Sequence, residues 1–136
     1  KRMPAIMILA AFQVMIRLYR RAGVDERELQ VMSGIAYDVA FPTVCFNGDL
    51  MTFRGSNPSG HPLTVQINSF ANSLYMRYCY HILGGNLSKF TENVALITYG
   101  DDNAMGVSDN APFFTHTSIS NALNDLGITY TMPEKE

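Results

Sequence analysis

The sequence predicts an α+β fold in which helices cover one face of an antiparallel sheet. Three observations carry that prediction. Asn47-Gly48 joins two β-prone runs, and Asn-Gly in that setting is a strong short-range hairpin signal. A second pair of apolar runs flanks Gly100-Asp101-Asp102 within "ALITYGDDNAMGV". Between and beside these hairpins, residues 5–20, 63–83 and 115–126 carry helical spacing bounded by proline or glycine. The order is therefore helix, hairpin, helix, hairpin, helix, with a short closing strand.

The N-terminal stretch "KRMPAIMILAAF" has the basic start and apolar body of a signal peptide, but its apolar run is too short to span a bilayer. It also continues past the point where a signal would stop. Ile6, Leu9, Phe12, Ile16 and Tyr19 extend one helical face, with Gln13, Arg17 and Arg20 off it, which argues for a packed amphipathic helix. Pro4 suits its first turn, and Arg21–Gly23 ends it. A charged link, "VDEREL", precedes strand-like runs at residues 37–46 and 49–55, where Pro42 indicates an edge strand or a bulge. Ser56–Pro62 reads as a loop by composition. The helix that follows, Leu63 to Leu83, stops at Gly84-Gly85. Its apolar stripe is Ile67, Phe70, Leu74 and Tyr78; its polar stripe is Thr64, Asn68 and Asn72. After the second hairpin come a loop at Ser108–Pro112, a helix at Thr115–Leu126 stopped by Gly127, and a strand over "ITYTM", Ile128–Met132.

A chain of 136 residues, 47% apolar and 16% charged, can bury a core and does not have the composition of a disordered segment. A net charge of -2 gives no strong standalone grip on nucleic acid or an anionic membrane. Two cysteines, Cys45 and Cys79, are too few for a disulfide framework and read as free buried thiols in a reducing compartment.

Two constellations carry chemistry. Adjacent strand residues point to opposite faces, so Asp101 and Asp102 can serve one object only where the chain turns, and Gly100 supplies the permissive backbone. Close carboxylates repel unless a cation sits between them, and hard oxygen ligands on a tight turn suit Mg²⁺. A plain solvent-exposed turn is the alternative reading of the same residues. The second constellation is "SGHPLTVQINS". Ser59 and Gly60 lie in the loop, and Thr64, Asn68 and Ser69 lie on the helix after it, with Thr64 and Asn68 on one face. A hydroxyl, a flexible glycine and polar side chains meeting there could read a ribose, whose 2′-OH both donates and accepts. A capped helix with an exposed polar stripe is again the alternative.

Taken in order, S-G-x-x-x-T-x-x-x-N-S from Ser59 and Y-G-D-D from Tyr99 resemble motifs B and C of viral RNA-dependent RNA polymerases. The wording "PSGHPLTVQINSFANSLYMR" and "TYGDDN" is most similar to the picorna-like positive-strand RNA viruses, and the resemblance covers nearly the whole chain. It implies an incomplete polymerase palm, with an RRM-like core, as part of a larger enzyme. Residues 34–57 would form a fingers/palm hairpin, 59–84 the motif B loop and helix, 94–107 the motif C hairpin and 115–136 the motif D region. The helix at Ala5–Arg20 resembles the one after motif A. Motif A itself, a D-x₄-D element, would lie before Lys1.

The resemblance also implies roles. Asp101 would be the main metal ligand of motif C and Asp102 a second ligand or a weaker neighbour. Ser59, Thr64 and Asn68 would select ribose over deoxyribose, and Gly60 would let the loop flex. Lys135 would protonate the leaving pyrophosphate, on a looser match. Mg²⁺, or Mn²⁺, would be the cofactor. RNA template and primer, nucleoside triphosphates and the remaining fingers and thumb would be partners, within a viral replication complex in the host cytoplasm. With motif A missing, the segment alone would be inactive. Motifs B and C should face one cleft. A reverse transcriptase also accommodates Tyr99-Gly100-Asp101-Asp102, but the motif B element is not its pattern. A non-catalytic RNA-binding module could stack bases on Phe46, Phe53 and Tyr99, although such aromatics are more commonly core. His61, His81 and His116 are scattered and read as no metal site.

Overall fold

A computed structural model describes residues 3–131. Two helices open the chain, α1 (Ala5–Arg21) and α2 (Glu26–Ala40), followed by the hairpin β1 (Thr43–Phe46) and β2 (Asp49–Thr52). Helix α3 (Thr64–Ile82) comes next. A 3₁₀ turn at Leu87–Lys89 leads into the one-turn helix α4 (Phe90–Asn93), the second hairpin β3 (Val94–Tyr99) and β4 (Asp102–Val107), and helix α5 (His116–Asn124). The α+β class is as the sequence predicts. Among the described residues, however, the strands form two separate two-stranded antiparallel sheets rather than one. The chain divides into two compact units. The first runs to Ala71 and includes Tyr99–Asp101; the second holds Asn72–Thr98 and the residues from Asp102 onward.

In the first unit, Pro4 precedes α1 with an extended backbone, as a residue lacking an N–H can at a helix start. The buried face of α1 is Ile8, Ala11, Phe12, Met15 and Ile16. Ile6 and Tyr19, assigned to that face from spacing, are exposed. The run "AIMILAAF" is apolar on every side, so two neighbouring stripes fit the same period, and packing selects the one containing Ile8.

Helix α2 occupies the stretch read as a charged link and the start of a strand. Asp25 caps it by accepting from the Arg27 N–H at 3.2 Å, and Glu26 and Glu28 sit in the first turn, where the helix dipole favours negative charge. Leu29, Ala36, Val39 and Ala40 then bury a helical face. The strand begins only at Thr43, after Pro42, because proline both disfavours helix in the residue before it and cannot donate within one. At the hairpin, Asn47 (φ 52°) and Gly48 (φ 92°) form the two-residue turn that twisted strands prefer. Thr43 pairs with Thr52 and Phe46 with Asp49.

Every position of β1 and β2 is exposed. Cys45 is therefore an exposed thiol, not a buried one. Phe46 and Phe53 are likewise exposed rather than core, as is Tyr99 on β3. A two-stranded sheet has a second face with nothing of its own to lie against.

The second unit is built around Tyr80. Its ring meets Phe90 and Phe114 edge-on, with centroids 5.2 and 5.3 Å away, the arrangement that places positive ring edges on negative faces. Its hydroxyl accepts from Asn93 Nδ2 at 2.8 Å. Met76, Cys79, Val94, Ile119 and Leu123 complete this core.

Helix α3 departs from the two stripes read from spacing. Asn72 is buried at 9% exposure while Tyr78 is 44% exposed; the buried side runs through Ile67, Ala71, Met76, Cys79 and Tyr80. Thr115 and Ser118 cap α5 reciprocally. Residues 128–131 form no strand. The Ile128 N–H donates to the Leu123 carbonyl at 2.9 Å and Ser120 Oγ to the Tyr130 carbonyl at 3.4 Å, so local bonds to α5 take the place of a sheet ladder. Met132 and Lys135 lie outside the described residues. No helix among those described is long and apolar enough to cross a membrane.

Candidate active site

The loop before α3 is anchored at its entrance. The Gly55 N–H donates to the Ala40 carbonyl and the Ser56 N–H to the Met3 carbonyl, both at 2.7 Å. Gly55 has φ 79°, and a Cβ there would run into the Met3 carbonyl oxygen and the Ala5 nitrogen. Only glycine satisfies both the left-handed backbone and the close approach.

Beyond this anchor, the side chains of the loop and of α3 bind one another. Asn57 Nδ2 donates to the Thr64 carbonyl at 3.2 Å and to Asn68 Oδ1 at 2.9 Å. Thr64 Oγ1 donates to the Pro58 carbonyl at 2.8 Å. Its only proton is thereby committed to the loop, so toward any ligand Thr64 can act only as an acceptor. His61 Nδ1 accepts from the Leu63 N–H at 3.2 Å. Ser59 and Gly60 are exposed, and Gly60 has φ 84°.

The tip of the second hairpin belongs to this same unit. Ser69 Oγ donates to the Val65 carbonyl and accepts the Gly100 N–H, each at 2.8 Å. This bond ties the tip to the α3 residue next to Asn68 and sets Asp101 immediately after the bonded glycine. Asp101 is exposed. Within the first unit, hydrogen bonds thus tie the loop that carries Ser59 and Gly60 to Thr64 and Asn68, and the glycine before Asp101 to Ser69.

In the second unit, Asp102 opens β4 with its side chain exposed. Its carbonyl accepts from Asn72 Nδ2 at 3.1 Å. Asn72 Oδ1 accepts from Asn103 Nδ2 at 2.9 Å, and Asn103 Oδ1 from Tyr130 Oη at 2.9 Å. Buried Asn72 is thus satisfied by a chain of amides, as a buried polar group must be. Burial pushes the Tyr130 phenol above its ordinary pKa, an effect the Asn103 hydrogen bond opposes. The ring stacks on His116 at 4.9 Å.

Asp101 and Asp102 offer hard oxygen donors, which fit Mg²⁺ held by one or two carboxylates together with substrate phosphates. Among the described residues, no group of three or more His, Cys, Asp or Glu is placed to hold a metal ion.

Sequence reasoning missed the residues that hold this arrangement, namely Asn57, Asn72, Asn103 and Tyr130, and gave Ser69 a place in ribose reading. Asn72 carried a signal: a polar residue within a helix otherwise rich in core side chains. Asn57 and Tyr130 carried none, because their partners are fixed by loop geometry.

Over residues 2–136 the sequence matches the family described as viral RNA-dependent RNA polymerase. It is 32% identical over 114 residues to the replicase polyprotein of Cricket paralysis virus, covering 78% of this chain and 6% of that polyprotein. It is 40% identical over 86 residues to the RNA1 polyprotein of Cycas necrotic stunt virus, covering 61% and 4%. With the RNA1 polyprotein of Arabis mosaic virus it shares 44% over 77 residues, covering 54% and 3%. The chain thus spans a small fraction of these relatives.

Proposed function

The chain belongs to the viral RNA-dependent RNA polymerase family, and from that premise we propose that it is the palm-centred part of an enzyme that copies a viral RNA genome from an RNA template. A single observation supports assigning the chemistry to residues 56–69 and 99–102: the bond from the Gly100 N–H to Ser69 Oγ, which ties the GDD tip to the helix that carries Asn68. The family match favours this reading over a reverse transcriptase and over a non-catalytic RNA-binding module.

In the proposed reaction, a primer 3′-hydroxyl gives up its proton to solvent and its oxygen forms a bond to the α-phosphorus of a nucleoside triphosphate. The bond from that phosphorus to the bridging oxygen breaks, and pyrophosphate leaves. Asp101, with Asp102 beside it, would hold Mg²⁺ (or Mn²⁺), which supplies charge stabilisation for the attacking and leaving oxygens. Most protein catalysis of phosphoryl chemistry is positioning. Here the Ser69 hydroxyl fixes the tip, the Asn72 amide holds the Asp102 carbonyl, and Asn68, with the exposed Ser59 hydroxyl and the Thr64 oxygen, contacts the ribose. Lys135 would donate the proton to pyrophosphate. The remaining fingers and thumb would hold template and primer, and the enzyme would act within a replication complex in the host cytoplasm.

The test is primer extension on an RNA template by the polymerase that contains this segment. Asp101→Asn keeps shape but removes a charged ligand, and the loss of one preorganised electrostatic contact costs roughly 10²–10³ in rate. A loss of at least that size is expected. Near-normal Mg²⁺-dependent incorporation by the folded variant would remove Asp101 from the site.

A further inference from the structure

We propose that Asn57 is a positioning residue for substrate selection, fixing which end of the Asn68 amide meets the ribose; this rests on the reading of Asn68 as a ribose contact. The Thr64 carbonyl can only accept, so the Asn57 atom 3.2 Å from it must be the nitrogen. Turning the Asn57 side chain over would set oxygen against oxygen. Oδ1 of Asn57 is buried with no hydrogen-bond partner among the described residues, so no donor on that side opposes the orientation Thr64 imposes.

The consequence passes to Asn68. The second hydrogen of Asn57 Nδ2 points to an atom 2.9 Å away that must accept it, which makes that atom Asn68 Oδ1. The Asn68 amide is then locked with its oxygen toward the loop and its Nδ2 donors directed away from Asn57. Amide polarity at a ribose contact decides whether the protein offers a donor or an acceptor to the 2′-hydroxyl. A site built to hydrogen-bond a hydroxyl rejects the analogue lacking it, because the site group is then left unpaired. Asn57 touches no reacting atom in this scheme and acts only through Asn68.

The experiment measures kcat/KM for a ribonucleotide and for the matching deoxyribonucleotide, in the polymerase containing this segment. Three variants are compared: Asn57→Ala, Asn57→Asp and Asn68→Ala. Asn57→Asp is nearly isosteric but cannot donate when ionised, so Asn68 must turn its nitrogen toward the carboxylate and present its oxygen to the ribose. Both Asn57 variants are expected to lower the ribose preference about tenfold, which corresponds to about 1.4 kcal/mol. In the Asn68→Ala background, Asn57→Ala should lower it no further, since its effect is transmitted through Asn68. If Asn57→Ala does not fold, Asn57→Asp carries the same comparison. A folded Asn57 variant with unchanged preference, alongside a reduced preference in Asn68→Ala, overturns the proposal and leaves the ribose reading standing. Unchanged preference in Asn68→Ala overturns the ribose reading itself.

Discussion

At the scale of single residues, the two cysteines separate what composition could and could not reveal. Both lie in apolar runs, yet Cys79 is buried and Cys45 is exposed. Burial pushes the Cys79 thiol up to about 11. The unfolded chain therefore ionises this group first. Its stabilising effect is intact below the ordinary value of 9.0 and is lost as pH rises toward about 11. In the folded protein at neutral pH, a maleimide or iodoacetamide should label Cys45 and leave Cys79 unmodified, with Cys79 labelling only on denaturation. Peptide mapping checks this, and equal native labelling of both thiols would contradict the burial of Cys79. The loop-then-helix layout was legible where a motif spans the positions, as in S-G-x-x-x-T-x-x-x-N-S, with Ser59 and Gly60 before α3 and Thr64 and Asn68 on it. Placement was not legible at Asn57, whose partners become neighbours only once the loop has folded back on α3.

At the scale of elements, helices with terminal signals and the Asn-Gly turn were readable in advance. α2 was not, although Asp25 followed by Glu28 is a helix-start pattern. The β-prone run from Tyr37 outweighed that signal because residues 37–40 satisfy either period, and the burial of Ala36, Val39 and Ala40 decides for helix. The closing strand failed for a different reason: its β-prone residues have no neighbouring strand among those described. Gly55→Ala combines a left-handed backbone, costing about 1–2 kcal/mol, with a clash against the start of α1, costing about 1–3 kcal/mol. A denaturant midpoint lowered by an equivalent amount is expected; a loss under about 0.5 kcal/mol would mean that the loop anchor is not as described. Ser69→Ala removes the acceptor of the Gly100 N–H, a hydrogen bond contributing about 0.5–1.5 kcal/mol. Incorporation should fall in Ser69→Ala and recover in Ser69→Thr, which keeps a hydroxyl; an active alanine variant would detach the tip's position from catalysis.

At the scale of the whole molecule, the described residues form two cores, one around Ile8, Phe12 and Ile67 and the other around Tyr80, Phe90 and Phe114. The two-metal reading requires carboxylates beyond the Asp101–Asp102 pair. The -2 net charge also gives little hold on phosphate, whose affinity depends on Lys and Arg contacts. Purified residues 1–136 should extend no primer and bind RNA weakly, losing it as salt rises. Primer extension by that segment, abolished by Asp101→Asn, would show the site to be complete without further ligands. Helix α3 supplies Ile67 to one core and Met76, Cys79 and Tyr80 to the other, without interruption from Thr64 to Ile82. That continuity has a genetic consequence. A recombination crossover between two related genomes that falls between the codons for Ala71 and Met76 would leave each half of α3 with the core of its own parent. Crossovers in the codons for Ser56–Pro62 would instead set one parent's Ile67 against the other parent's Ile8 and Phe12, so viable recombinants should break within the helix rather than in the loop.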